Sequence, residues 1–336
     1  MRAWLSFSFD LRRLSPRLLL RLGAAEAALR TLAAPLAPAW RAEREDAAMA
    51  RLLAAVLGPA ALPAALLQDR LDGGTGGAPG RLDGAIQALR TALAQPAGAV
   101  LDAAAIQHYH RLSLGVPAMD ASSSFTLMTQ FGGHPGQEAG YRAILIQLGV
   151  WLGGPDFDAG GRALGGVLAG AAALLHLQAL QLFRSGNDVV AAAVAIHCLR
   201  RAALPGAAAL AAAEALPQAG RAGDLPAAVD AVTQYLEAEA AAWQAQLDRL
   251  AREDHLTALF GSRNDPGAER RRLLAGVLLD RSATVPLRRL RHCTPEVAAA
   301  YAGLSGRTLL RDLDALEAMG LVRRARGQVQ AASWPA

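Results

Sequence analysis

The chain has 336 residues, 53% of them hydrophobic and 19% charged, which is enough to bury one large core and a second, smaller one. The formal charge is +5, and all 34 basic residues are arginine. The absence of lysine excludes a Walker A phosphate loop, a Schiff-base enzyme and a Ser-x-x-Lys nucleophile, while two distant cysteines, Cys198 and Cys293, make neither a disulfide framework nor a zinc pattern.

The opening stretch "MRAWLSFSFDLRRLSPR" lacks the basic-then-apolar order of a secretory signal, so a cytoplasmic location is expected. Leucines at helical spacing predict helices over Pro16 to Ala34, Arg41 to Leu57, Leu82 to Ala94 and Leu101 to Leu112, stopping where Pro and Gly cluster. "DGGTGGAPG", Asp72 to Gly80, reads as a loop. "FTLMTQFGGHPGQEAGY", Phe125 to Tyr141, breaks the helical period and predicts one short β-hairpin. Helices resume over Arg142 to Leu152 and Arg162 to Phe183. The uncharged run Ala163 to Phe183 is long enough for a bilayer, but it is built of Ala and Gly with His176 and two Gln, which predicts a core helix and no membrane partner.

Next comes "LQLFRSGNDVVAAA", Leu180 to Ala193, a polar turn between two apolar runs. Buried polar backbone must be satisfied, so an interior turn of this kind points to a place where something binds or reacts. Helices are predicted again over Val189 to Ala203 and Pro226 to Phe260. "FGSRNDPG", Phe260 to Gly267, is polar and without apolar period, which sets the domain limits at 1–262 (helices of 1–100, core of 101–262) and 263–336.

The second domain has its own pattern. Glu269 to Leu279 reads as a helix, and Thr294 caps the next, with Pro295 at its first position and Val297 and Tyr301 inward. Gly303 and Leu304 make a turn. Ser305 then caps a helix with apolar positions Leu309, Leu310, Leu313, Leu316 and Met319, stopped by Gly320. "LVRRARGQVQA", Leu321 to Ala331, alternates around Arg326-Gly327 as a two-stranded wing. This is the order of a winged helix-turn-helix. From Arg263 onward thirteen arginines face seven carboxylates, so the basic character belongs to this domain. DNA is therefore the expected partner: Ser305, Arg307, Thr308 and Arg311 at the groove, and Arg323, Arg324 and Arg326 on phosphates. Asp312, Asp314 and Glu317 on the same helix oppose this reading, and a protein-docking role is its alternative.

The remaining candidates are weaker. His108 and His110, two apart, fall on different faces of a helix; His134 lies in a Gly/Pro turn; His176 and His197 lie on apolar faces; His255 and His292 have no ligand-spaced partner. Asp156 and Asp158 suit helix entry. No metal site is expected.

The turn and its flanking helices resemble the active-site loop of Fic-domain proteins, which move AMP or a related group onto a protein hydroxyl. "WLSFSFDLRRLSPRLLLRLG" looks like the opening of the Fic subgroup that ends in a winged helix, "FTLMTQFGG" falls where that family has its target-binding hairpin, and "TPEVAAAYAGLSGRTLLRDLDALEAMGLV" looks like the subgroup's terminal domain. The family loop reads His-x-Phe-x-Asp/Glu-Gly-Asn-Gly-Arg-x-x-Arg. Phe183, Gly186 and Asn187 match it. Gln181 stands for the general base, Ser185 for the magnesium-holding acid, Asp188 for the second Gly, and Val189 and Ala192 for the two arginines. The inhibitory helix of the family corresponds to "EREDAAMARLLAAV", with Leu53 where the restraining Glu would stand.

The resemblance thus implies a mainly α, Fic-like helical bundle with one short β-hairpin and a C-terminal winged helix-turn-helix domain, catalytically degenerate and without cofactor. The expected role is that of a DNA-binding regulator or scaffold, with self-association or a protein partner through the larger domain. Two alternatives stand: an active or variant Fic-type nucleotidyl transferase using ATP and magnesium, and a pure protein-interaction module.

Overall fold

Leucine and alanine at helical spacing do build helices along most of this chain. The computed structural model describes residues 11–58, 70–71, 80–115, 138–154, 157, 162–183, 185–261, 265–280 and 284–332. They form α1 (Pro16–Ala33), α2 (Pro38–Leu57), α3 (Arg81–Leu93), α4 (Ala103–Ser113), α5 (Glu138–Leu152), α6 (Arg162–Leu180), α7 (Asn187–Arg201), α8 (Gly206–Ala213), α9 (Leu216–Ala222) and α10 (Leu225–Phe260). After these come α11 (Pro266–Asp280), β1 (Val285–Pro286), α12 (Leu287–Leu290), α13 (Pro295–Ala300), α14 (Gly306–Ala318), β2 (Val322–Ala325) and β3 (Gln328–Ala331). The protein is mainly helical with one small antiparallel sheet. Among the described residues no helix is long and apolar enough to cross a membrane.

Contacts divide the chain into two units, Met1–Trp243 and Gln244–Ala336. The cut lies inside α10, before the polar turn at Phe260 to Gly267. Leu256 and Phe260, near the end of that helix, are buried among residues of the second unit.

In the first unit α6 and α7 pack along their length, and α3, α4, α2 and α8 close around α7. The alanine runs make this interface: Ala171 to Ala173 and Ala191 to Ala193 are fully buried, because a methyl side chain lets helix axes approach closely. Local signals set the ends. Ser15 Oγ accepts from Leu18 N at 3.2 Å ahead of α1, and Asp102 Oδ1 from Ala105 N at 2.8 Å ahead of α4.

Helix α2 is held by charge as well as by apolar burial. Arg44 and Arg51, seven residues apart on one face, bind Glu239 of α10 and Glu214 at the end of α8. Glu239 is 2% exposed and also accepts from Trp243 Nε1 at 2.6 Å, so its buried charge is fully partnered.

The second unit gathers α11, α13, α14 and the sheet around Leu274, Leu278, Leu290, Val297, Tyr301, Leu313, Leu316 and Val329. The strand order is β1-β3-β2, with Val285 opposite Val329 and Ala325 opposite Gln328. Arg326 and Gly327 turn between β2 and β3 at φ 49° and 74°, the positive values that a two-residue type I′ hairpin requires.

Several expectations change. Helix α6 ends at Leu180, three residues before Phe183, and α8 and α9 occupy a stretch with no assigned element; α8, alanine apart from Gly206 and Leu210 and buried on every side, has no polar face to mark a period. Glu138 to Tyr141, assigned to the hairpin, form the first turn of α5; Phe125 to Gln137 lie outside the described residues, as do Asp72 to Pro79, His134, Asp156 and Asp158. Strand β1 and the one-turn α12 are additions. Leu310 and Met319, expected inward, are 42% and 45% exposed.

Candidate functional site

The loop between α6 and α7 is built by its own backbone. Gln181 leaves α6 in the left-handed region at φ 45°, exposed, with Nε2 donating to Gln178 O at 2.6 Å. Phe183, 2% exposed, donates its N–H to Asn187 Oδ1 at 2.9 Å and accepts Asn187 Nδ2 on its carbonyl at 2.6 Å. One amide side chain therefore satisfies both main-chain polar groups of a buried residue, which accounts for how a polar turn persists in an apolar setting. Gly186, at φ 76°, caps α7; a Cβ there would lie 2.7 Å from Ser113 Oγ, so the position excludes a side chain twice over. Arg184 lies outside the described residues.

Helix α4 supports the loop from the other side. The His110 ring stacks on Phe183 with centroids 3.9 Å apart and planes 12° apart, and His110 Nε2 lies 3.1 Å from Ser185 O. With Nε2 donating to that carbonyl, the neutral ring keeps its lone pair on Nδ1, which is buried without a partner among the described residues. Burial pushes the His110 pKa down to about 4, opposed by the bond to Ser185. Ser113 Oγ in turn donates to His110 O at 2.7 Å.

Around the loop, the positions where the Fic resemblance places chemistry are mostly filled by packing. Val189 and Ala192 are 2% and 0% exposed, so a guanidinium at either would enter the core. Leu53 of α2 is fully buried and needs no charge partner. Asp188 is half-buried, its pKa raised by burial and held back by Arg81 and a hydrogen bond from Gln178. Ser185 is exposed and carries a hydroxyl where a hard cation needs a carboxylate. Among the described residues, Gln181, Ser185, Val189 and Ala192 offer neither a carboxylate nor a guanidinium to a magnesium-bound triphosphate.

The second candidate surface is α14 with the β2–β3 hairpin. Thr294 Oγ1 accepts from Val297 N at 3.2 Å, starting α13, and α14 follows after the turn. Ser305 stands at the N-cap of α14 but faces the Thr308 hydroxyl at 3.3 Å rather than a backbone N–H. Ser305, Arg307, Arg311, Arg323 and Arg326 are exposed, and Thr308 is half-buried.

One sequence assignment on this helix is corrected by burial, and one arginine of the hairpin is found engaged with it. Asp312 is 3% exposed and faces inward, accepting from Tyr301 Oη at 2.9 Å and Arg270 Nε at 3.2 Å, so it is no part of the outer charge. Arg324 of β2 grips Glu317 Oε2 through Nε at 2.8 Å and lies 2.6 Å from Asp314 Oδ1. One strand arginine thus neutralises both outward carboxylates of α14. The Tyr301–Asp312–Arg270 cluster escapes sequence reading because its members are far apart in the chain; the only hint is a lone Asp at an apolar position of α14.

The histidines do not converge. His108 is exposed and His110 buried on opposite sides of α4; His197, 1% exposed, receives the Tyr109 hydroxyl at its Nδ1, 2.7 Å away; His176 packs edge-on against Trp151. Among the described residues no group of three metal-ligating side chains comes together. No family model matches the chain, and no curated protein matches it.

Proposed function

We propose that the chain is a DNA-binding regulator or scaffold whose C-terminal unit is a winged helix-turn-helix, with α14 as the helix that enters the major groove. The observation carrying this reading is the division of charge on α14. Arg307 and Arg311 are exposed, one turn apart, with no carboxylate pairing either among the described residues, whereas Asp312 is turned inward and Asp314 and Glu317 are occupied by Arg324. The repulsion that the carboxylates would present to a phosphate backbone is thereby reduced, and the free guanidinium groups can meet base edges.

The larger unit, in the same reading, is a Fic-like scaffold without transferase chemistry, used for self-association or a protein partner. Supporting this are the buried Val189 and Ala192, the Asn187 clasp that fills the turn, and a loop without a proton acceptor at Gln181. Losing a positioned base alone costs a rate factor on the order of 10² to 10⁴.

A gel-shift series with a mixed-sequence duplex across a range of salt tests the reading. Binding that weakens steeply as salt rises supports it, and absence of binding at low salt overturns it. Incubation with labelled ATP, magnesium and lysate is expected to leave no modified band; a band would restore the transferase reading.

A further inference from the structure

The short helix α12 joins the two parts of the proposed DNA surface. At its start, Leu287 N donates to Gly327 O at 3.0 Å, next to the hairpin turn that carries Arg326, and the preceding β1 residues pair with β3. At its other end, Arg291 Nη2 donates to Tyr301 O at 2.6 Å and Leu304 O at 2.8 Å, the latter being the residue before the Ser305 cap of α14. One turn of helix therefore runs from the hairpin tip to the start of α14, and two backbone-anchored bonds fix it there.

Its residues divide by environment. Leu290 is fully buried and Arg291 is used as the tether, while Arg288 and Arg289 are exposed. Neither pairs with a carboxylate among the described residues, and the same holds for Arg326. Elsewhere in the unit arginines that face acids are engaged: Arg270 and Arg271 lie near Asp312, and Arg324 binds Asp314 and Glu317. Arg288, Arg289 and Arg326 all lie within two residues of the Leu287–Gly327 backbone bond that joins α12 to the hairpin turn.

We infer that Arg288 and Arg289, together with Arg326, form a phosphate-binding surface for duplex DNA on α12, flanking the groove that α14 enters. This rests on the DNA-binding reading and adds to it a backbone contact that α14 does not supply. Planar guanidinium forks hold phosphate oxygens in pairs, and phosphate contacts fix the register of a protein on the duplex without reading sequence.

The test uses the full chain and a fluorescent duplex of mixed sequence, with affinity followed against salt. Each lost phosphate contact lowers the slope of log affinity against log salt by about 0.9. R288A/R289A is expected to lower it by about 1.8, with affinity for two unrelated duplexes falling by the same factor. R288K/R289K, which keeps the charge, is expected to retain the wild-type slope and guards against misreading a folding defect. A wild-type slope in R288A/R289A, or a Lys variant as weak as the Ala variant, overturns the assignment of these residues while leaving α14 as the reader. A wild-type chain that binds no duplex overturns both, and binding of single-stranded RNA alone through these arginines overturns duplex DNA as the ligand.

Discussion

Asn187 holds Phe183 by both of its main-chain polar groups, 2.9 Å from the N–H and 2.6 Å from the carbonyl. Both residues are buried, so no water replaces the amide when it is removed. Leaving two buried groups unmatched costs about 2–3 kcal/mol. N187A should lower the unfolding free energy of the first unit by that amount, read as a lower urea midpoint with the denaturant slope unchanged, and N187D should fare no better because it loses the donor. A loss under about 0.5 kcal/mol would mean that the clasp does not organise the loop.

The Asp312 cluster is the corresponding support in the second unit. Tyr301 and Arg270 both direct polar groups at one carboxylate, and the Arg270 guanidinium also lies 5.7 Å from the Tyr301 ring centre. D312A leaves a half-buried guanidinium and a buried hydroxyl without their acceptor, and is expected to cost about 3 kcal/mol. Y301F removes one donor only and should cost about 1 kcal/mol. Equal, negligible effects in equilibrium unfolding would show that the cluster does not hold α14 in place.

Arg324 is expected to act on DNA indirectly. In R324A the Asp314 and Glu317 carboxylates are released to face the phosphates, so duplex affinity should fall several-fold. Adding D314N and E317Q to that variant should then restore it. If the triple variant stayed weak, with a salt slope lower by about 0.9, Arg324 would be a direct phosphate contact after all.

Acid should weaken the first unit through His110. Its pKa is about 4 when folded against about 6.5 for a free imidazole. Between these values the unfolded chain takes up a proton that the folded ring refuses. The stability contributed by the neutral ring is thus complete above pH 6.5 and is lost as pH falls toward 4, amounting to about 3 kcal/mol. H110F keeps a ring on Phe183 and removes this titration. The stability difference between wild type and H110F should therefore shrink by about 2–3 kcal/mol between pH 7.5 and 4.5. Parallel stability curves would contradict the assignment. His176 and His197, also lowered by burial, remain in both proteins and do not affect the comparison.

Much of this architecture is legible in the sequence where a local signal exists. Ser15-Pro16 and Thr294-Pro295 mark helix starts through cap chemistry, Gly320 marks a stop, and Arg326-Gly327 marks a two-residue turn, all within a few residues of the structure they specify. The helix α8 had no such signal, because its seven small residues and Leu210, all buried, carry no polar face. On α14 residue type alone marks Leu310 as inward and Asp312 as outward, although the helical period set by Leu309, Leu313 and Leu316 puts Asp312 on the apolar face. Burial follows the period: Leu310 is exposed, and Asp312 is inward with partners from Arg270 of α11 and from Tyr301 just after α13. The same non-local pairing hid the engagement of Arg324, whose acids lie seven and ten residues before it. Turn residues Gly186 and Asn187 could be located from their types, but the direction of Val189 and Ala192 into the core depends on α7 being enclosed.

The most direct test compares wild type and R307A/R311A by fluorescence anisotropy on one duplex over a graded series of salt concentrations. The wild-type plot of log affinity against log salt should be steep and the variant shallower by about 1.8, with an unfolding midpoint matching wild type. Identical slopes in the two proteins, or an affinity that ignores salt, would contradict the placement of DNA on α14.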